Sequence, residues 1–420
     1  MLEPERHGGP SYNEAVSEAL PRLRFNLDFV PSPDPARPGL IIRDPYHYTD
    51  ATLIVPPPLV QALECFDGHQ STLDLRSELV RITGEIQVSD LEKHLYDSLN
   101  DAGFLENERY LALKAKREEE FAGEEIREAI FAGSAYPHDP QSLADLLTYR
   151  VGRSQGAKKT IAVAAPHASP DGGWHTYRTA YQALPSREQG DGKTFVVLGT
   201  SHYGAPERFG LTRKQFVTPF GAAQTDTALV DELVAAAPQA VRLEDYCHAV
   251  EHSIEFQIVF LQHLYGASVR VLPILCGPFV KSIYNGGLPE ATDGVARLFD
   301  ALGNIAARES HRLFWVLGVD MAHIGQRYGD QLRATANLGE MLGIEQRDRR
   351  RIASINQGDV DGYWSQVQDG HDDLKWCGAS PIYTFMKVLP GLKSELLDYH
   401  QWQIDPASVV SFGALRFDRA

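Results

Sequence analysis

The stretch Leu313-Phe314-Trp315-Val316-Leu317-Gly318-Val319-Asp320-Met321-Ala322-His323 sets the architecture. Five apolar residues, β-branched and aromatic among them, run without a polar interruption. A glycine then ends the run, and two metal-capable side chains, Asp320 and His323, follow. A short apolar run of this kind reads as a strand buried on both faces. In an open α/β sheet, ligands bind where such strands end and loops begin. Two further segments repeat the arrangement. Ile161-Ala162-Val163-Ala164-Ala165 leads into Pro166-His167-Ala168, and Phe195-Val196-Val197-Leu198 leads into Gly199-Thr200-Ser201-His202. Three strand ends carrying His, His and Asp/His form one expected pocket, and Trp376-Cys377-Gly378 is a natural fourth contributor. Strands are also expected over 269–275 and 408–417. Their alternation with amphipathic helices predicts a large α/β domain over residues 124–420.

Residues 1–38 are rich in Pro, Gly and charge and end in Pro31-Ser32-Pro33-Asp34-Pro35, which predicts a flexible arm. Residues 39–106 read as a small separate domain. Leu40-Ile41-Ile42-Arg43-Asp44 and Thr52-Leu53-Ile54-Val55 are short strands. Helices are expected from Pro57, from Thr72 and after Val88-Ser89-Asp90, before a closing Ala102-Gly103-Phe104-Leu105. This is a winged-helix-like pattern, and it resembles the peptide-chaperone domain of the pyrroloquinoline quinone pathway. Residues 107–123, with Lys114, Lys116, Arg117, Glu118, Glu119 and Glu120, predict a solvated linker helix.

Charge narrows the partners. Lys and Arg number 40 against 56 Asp and Glu, a formal net charge of −16 over 420 residues. Binding phosphate backbones or anionic lipid needs clustered cations, so neither nucleic acid nor membrane is expected as a main partner. No apolar stretch approaches bilayer length, and the opening Met1-Leu2-Glu3-Pro4-Glu5-Arg6-His7 lacks the parts of a signal peptide. Cys65, Cys247, Cys276 and Cys377 are widely spaced without a CxxC pair, as expected of reduced thiols in a cytoplasmic protein.

Several segments carry chemistry. Ser201 lies in a G-x-S-x-x-G spacing, which does not indicate a nucleophile elbow. Asp320 and His323, three apart, would share one side of a helical turn. They suit base-and-orienter chemistry or support behind a metal ligand, and equally a helix-capping Asp with an incidental His. Cys377 precedes Gly378-Ala379-Ser380-Pro381, so its thiol is expected at a helix start where the dipole would lower its pKa. His248-Ala249-Val250-Glu251-His252 matches the H-x-x-E-H helix of zinc peptidases. The plainer reading is a polar helix start whose Glu251, His252 and Glu255 border a pocket. Two imidazoles and a thiolate suit copper, iron or zinc rather than magnesium or calcium, and three protein ligands leave coordination open for substrate or dioxygen.

Taken together these segments resemble the Memo family, also named AmmeMemoRadiSam system protein B, over about residues 124–420. Ala132-Gly133-Ser134-Ala135-Tyr136-Pro137 resembles its opening motif, and Pro166-His167-Ala168 its PHAG. Leu198-Gly199-Thr200-Ser201-His202 and Thr218-Pro219-Phe220-Gly221 resemble further strings. Glu251-His252-Ser253-Ile254-Glu255 matches EHSIE, the most specific string. Val319-Asp320-Met321-Ala322-His323, Cys377-Gly378-Ala379-Ser380-Pro381-Ile382 and Ser408-Val409-Val410-Ser411-Phe412 complete the series. The resemblance implies the fold of class III extradiol dioxygenases, a sheet flanked by helices. It implies Fe(II) or a copper ion on His167, His202 and Cys377, with His323, Asp320, Glu251 and His252 as catalytic or supporting residues. It further implies redox activity on a small-molecule or peptide-derived substrate and, from the family name, a radical-SAM enzyme as partner. The pocket rim departs from the family: Ser169-Pro170-Asp171-Gly172-Gly173-Trp174 follows PHA, and Ala135 replaces an aromatic residue. A non-catalytic adaptor on the same fold, and a zinc hydrolase using His248 and His252, are the competing expectations.

Overall fold

A computed structural model describes residues 19–156, 159–190 and 192–419. The chain divides into two compact units, residues 1–119 and 120–420.

In the first unit, β1 (Asp28–Pro31), β2 (Leu40–Arg43) and β3 (Thr52–Val55) form an antiparallel sheet. A 3-10 helix follows at Pro57–Cys65, where a regular helix is expected, and then α-helices at Thr72–Thr83 and Ser89–Asp101; helix Glu108–Gly123 runs through the division between the units. The Ser71 hydroxyl and the Asp74 carboxylate cap the first α-helix reciprocally, and Gly84 ends it in the left-handed region at φ 74°. Leu75, Leu79, Leu95, Leu99 and Phe104 fill the core. The arm expected over 1–38 needs correction. Residues 1–18 lie outside the described residues, but Leu20 and Leu27 are buried in this core and Asp28–Pro31 is a strand. Arg24 is buried too, paired with both oxygens of Asp44 at 2.9 and 3.1 Å. The proline-rich composition belongs to the turn between β1 and β2, whereas the apolar residues before it have a core to fill.

The second unit holds a sheet of twelve strands. In chain order these are β4 (Ile126–Arg127), β5 (Thr160–Ala165), β6 (Thr194–Thr200), β7 (Phe209–Leu211), β8 (Gln215–Thr218), β9 (Gly221–Thr225), β10 (Val241–Leu243), β11 (Arg270–Cys276), β12 (Leu313–Gly318), β13 (His323–Gly325), β14 (Lys393–Asp405) and β15 (Ser408–Asp418). The central path runs β13-β15-β5-β12-β6-β11-β9-β8-β4. β5, β12, β6 and β11 are mutually parallel, and β15 runs antiparallel beside β5. The runs read as buried strands are these strands. Along β5, Ala162 and Ala164 face one apolar core while Val163 and Ala165 face the other. Helices Asp293–Arg308, Glu340–Gln357 and Ala379–Val388 contribute to the first core, and helices Pro170–Gln182 and Glu255–Tyr265 to the second. In helix Asp293–Arg308, Val295, Leu298, Phe299, Leu302 and Ile305 recur at helical spacing and are all buried.

Register places the site. Gly318 pairs with Ala165 on one side and with Gly199 on the other, so β5, β12 and β6 end at one level. The residues that follow, His167, Asp320 and His202, therefore leave the sheet together. Among the described residues no helix is long and apolar enough to cross a membrane, and all four cysteines are free thiols.

Candidate metal centre

Glycines let a second layer of chain close over the strand ends. A Cβ on Gly318 would lie 2.2 Å from the Ser253 carbonyl oxygen, and one on Gly199 would lie 2.6 Å from Ser253 Oγ and from Ile254. The segment leading into helix Glu255–Tyr265 rests on these two positions, and the Ser253 hydroxyl donates to the Thr200 carbonyl at 2.7 Å. Glu251 and His252 are thereby carried to the mouth of the sheet. Gly378 does the same for the fourth segment: its Cβ would lie 2.7 Å from the Asp320 carbonyl. Thr200 Oγ1 donates to the Cys377 carbonyl at 2.9 Å, which ties that loop to β6.

Five metal-capable side chains converge. His167 Nε2 is 3.2 Å from Cys377 Sγ and 3.6 Å from an Asp320 oxygen. The His167 and His202 rings lie 5.0 Å apart, and the His252 ring lies 5.1 Å from the first and 5.0 Å from the second. The ligand atoms of His167, His202 and His252 lie within 4.8 Å of one another, and so do those of His167, Asp320 and Cys377.

Every ring is held from behind. His167 Nδ1 is 2.8 Å from the Gly318 carbonyl oxygen, an acceptor only, so the proton sits on Nδ1 and the Nε2 lone pair faces Cys377. His323 Nδ1 faces the carbonyls of Met321 and Lys375 at 2.9 and 3.1 Å. Glu251, buried, reaches Nδ1 of His202 at 3.0 Å and Nδ1 of His252 at 3.2 Å. The Glu251 carboxylate also accepts from the backbone N–H groups of His202, His252 and Ser253. Donation from Nδ1 to a fixed oxygen is how proteins orient metal-binding imidazoles.

Electrostatics agree with this use for His167, His252 and His323. Burial pushes His167 and His252 down to about 3 and His323 to about 4, so these rings are neutral and carry lone pairs at neutral pH. His202 stands apart. Burial opposes its charge, but Glu251 and then Cys377 outweigh that and hold it well above the usual range. Burial pushes Glu251 up, and the neighbouring His202 more than reverses this, leaving it well below the carboxylate range. Burial raises the Asp320 carboxyl against the opposing pull of His323.

Four expectations change here. Asp320 and His323 do not share a helical turn: His323 opens β13, which pairs with β15, and the chain between is irregular. Asp320 instead turns back to accept the His167 backbone N–H at 2.9 Å. The Cys377 thiol is raised by burial, not lowered, because helix Ala379–Val388 begins two residues later and desolvation dominates. The zinc-peptidase helix does not form. Helix Cys247–Val250 stops where Glu251 becomes extended (ψ 137°), so His248 and His252 do not share a face. His248 is buried with Nε2 against the Gly210 carbonyl at 3.0 Å. Finally, Glu255 does not border the pocket. It is wholly buried, paired with Arg127 and accepting from the Tyr136 hydroxyl and the Phe131 N–H.

Sequence reasoning undervalued His252, whose ring belongs to the ligand group, and expected Glu251 to border or support the pocket without specifying that it orients two imidazoles. The signal was the Glu-His pair itself, attached to the wrong histidine by the H-x-x-E-H match.

The family of Memo-like proteins matches residues 127–416 of this chain. The chain belongs to the Memo family. Its relatives include a MEMO1 family protein of Aquifex aeolicus, 25% identical over 401 residues, which span 94% of this chain and 99% of that protein. A MEMO1 family protein of Pyrococcus abyssi is 29% identical over 287 residues, 65% of this chain and 92% of that protein. The Memo unit thus occurs in relatives both with and without a region matching the first unit. Among solved structures, the chain is similar to an uncharacterized Escherichia coli K12 protein, JW3007, at 12% identity and a TM-score of 0.39, over 61% of this chain and 99% of that one.

Proposed function

We propose that this Memo protein is a metal-dependent oxidoreductase, dioxygenase-like, acting on a small or peptide-derived substrate. The observation that supports the reading is two ligand groups sharing His167, one with His202 and His252 and one with Asp320 and Cys377, with the His167 and His202 rings already fixed through Nδ1. His167, His202 and Cys377 would hold Fe(II) or copper, and His252 stands close enough to His167 and His202 to complete or replace that set. Such an ion would supply Lewis acidity and one-electron chemistry. Two imidazoles and a sulfur fit a soft or borderline transition metal and leave a coordination position open.

The residues around that set have separable tasks. Glu251 orients His202 and His252. Asp320 holds the backbone at His167 and lies near its Nε2. His323, neutral and with Nδ1 engaged, would take or give a proton at Nε2. The first unit would present a peptide or dock a partner enzyme, a radical-SAM protein on the family resemblance, and the protein would work in the cytoplasm.

Metal analysis of purified wild-type protein and of His167→Ala and Cys377→Ala tests the site. Loss of bound iron or copper in both variants is expected, and undiminished content in both would remove the reading. Anaerobic loading with Fe(II), followed by oxygen-uptake measurements with catechols and aromatic amines, tests turnover. No uptake, with peptide binding retained, would make the protein an adaptor.

A further inference from the structure

Away from the ligands, one buried carboxylate accepts three hydrogen bonds, two of them from residues that hold segments of the metal centre. Asp348, in helix Glu340–Gln357, is wholly buried. One of its oxygens accepts the Trp376 indole N–H at 2.7 Å, and the other accepts the Tyr399 hydroxyl at 2.7 Å and the Ser411 hydroxyl at 2.6 Å. The direction of each bond is fixed. An indole nitrogen can only donate. Ser411 Oγ accepts the Ala322 N–H at 2.8 Å and Tyr399 Oη accepts from the Gln401 amide at 3.2 Å, and because an ionised carboxylate only accepts, both hydroxyls donate to Asp348. The Gln401 amide is itself oriented, donating to the Met341 carbonyl and accepting the Asn337 N–H.

Two of these three donors belong to the metal centre. Trp376 immediately precedes Cys377. Ser411 lies on β15, and its backbone accepts the Met321 N–H at 2.8 Å and donates to the Ala322 carbonyl at 2.9 Å. It therefore clamps the loop between Asp320 and His323. Arg351, one helical turn from Asp348, places its guanidinium 5.2 Å over the Trp376 ring and bonds Asp372 at 2.8 Å.

We propose that Asp348 is a positioning residue of the metal centre: through Trp376 and Ser411 it sets where Cys377 stands relative to His167 and Asp320. This rests on the metal-centre reading above. Asparagine at 348 offers a single acceptor oxygen: with its NH2 toward the indole it meets that N–H donor against donor, and with its NH2 toward the hydroxyls both hydroxyl hydrogens must turn away and lose their acceptor.

The experiment loads full-length protein with Co(II) and reads the near-ultraviolet thiolate-to-cobalt charge-transfer band together with the Co(II) dissociation constant. Asp348→Asn should lose at least about half of the band and weaken Co(II) binding by about 10- to 100-fold, the range for groups that orient ligands. Trp376→Phe, which keeps a ring but removes the donor, should show the same spectral change while remaining folded by circular dichroism. Tyr399→Phe, which removes the one donor that is on neither the segment of Cys377 nor the strand bonded to the Asp320–His323 loop, should lower the melting temperature without altering the band. If Asp348→Asn does not fold, Trp376→Phe decides. Wild-type band and affinity in the folded variants, with only the melting temperature lowered, would overturn the proposal. A wild-type protein that binds Co(II) without any thiolate band would instead remove the metal-centre reading beneath it.

Discussion

Glu251 and Glu255 stand four residues apart in one short motif, both buried, and build two different regions. Glu251 faces the strand ends, where its carboxylate holds two imidazoles and three backbone N–H groups. Glu255 faces away, where it pairs with Arg127, and Arg127 in turn donates to the carbonyls of His248 and Glu251 at 2.8 Å each. The first region is charged on the side of chemistry and partly open, with His202 and His252 side chains 29% and 27% exposed. The second is closed, and the Tyr136 hydroxyl of the opening motif completes it. The difference teaches that a recognisable string need not be a functional unit. One of its glutamates serves the site, and the other fastens the start of the Memo unit to the helix beside that site.

The comparison can be broken most sharply at the closed region. Arg127→Ala leaves Glu255 buried without its partner, which should cost ~3–5 kcal/mol of unfolding free energy. Denaturant titration measures this, and metal bound per folded molecule should stay at the wild-type level; a specific loss of metal would merge the two regions into one. At the open region the expectation reverses. Glu251→Gln should weaken metal binding by about 10- to 100-fold, or ~1.4–2.7 kcal/mol, by releasing His202 and His252. Equilibrium metal titration reads it, and unchanged affinity would deny Glu251 its orienting role. A control in the other compact unit is Ser71→Ala, which removes half of a capping box and should lower stability by ~1 kcal/mol with metal content untouched. The least effect on metal is expected of His248→Ala. His248 lies behind the site against Gly210, so metal content should not change; its loss would revive the H-x-x-E-H reading.

Much of this was legible before any coordinates. The apolar runs at 161–165, 195–198 and 313–317 became parallel neighbours, because unbroken β-branched and aromatic residues pack well only in strands covered on both faces. His167, His202, Asp320 and Cys377 were legible as strand-end or loop residues for the same reason. Spacing misled where it was local and the answer was not. Asp320 and His323 suit a helical turn, but β15 offers the chain after Ala322 a strand partner. His248 and His252 suit one helix face, but two imidazoles drawing on Glu251 hold that residue extended. Cys377 suits a lowered pKa at a helix start, but a thiol set against His167 and Asp320 beyond the strand ends loses more from desolvation than a helix end returns.

The sequence alone determined the strand runs, their ends marked by Pro166, Gly199 and Gly318, and the family, since each is written in neighbouring residues. Only the tertiary structure decided which of the 15 histidines meet. The meeting of His167 with Cys377 depends on the register of three strands and on Gly199, Gly318 and Gly378, which lack the side chains that would keep the crossing segments apart. Periodicity encodes burial along a chain; it carries no measure of the distance between groups brought together from far along it.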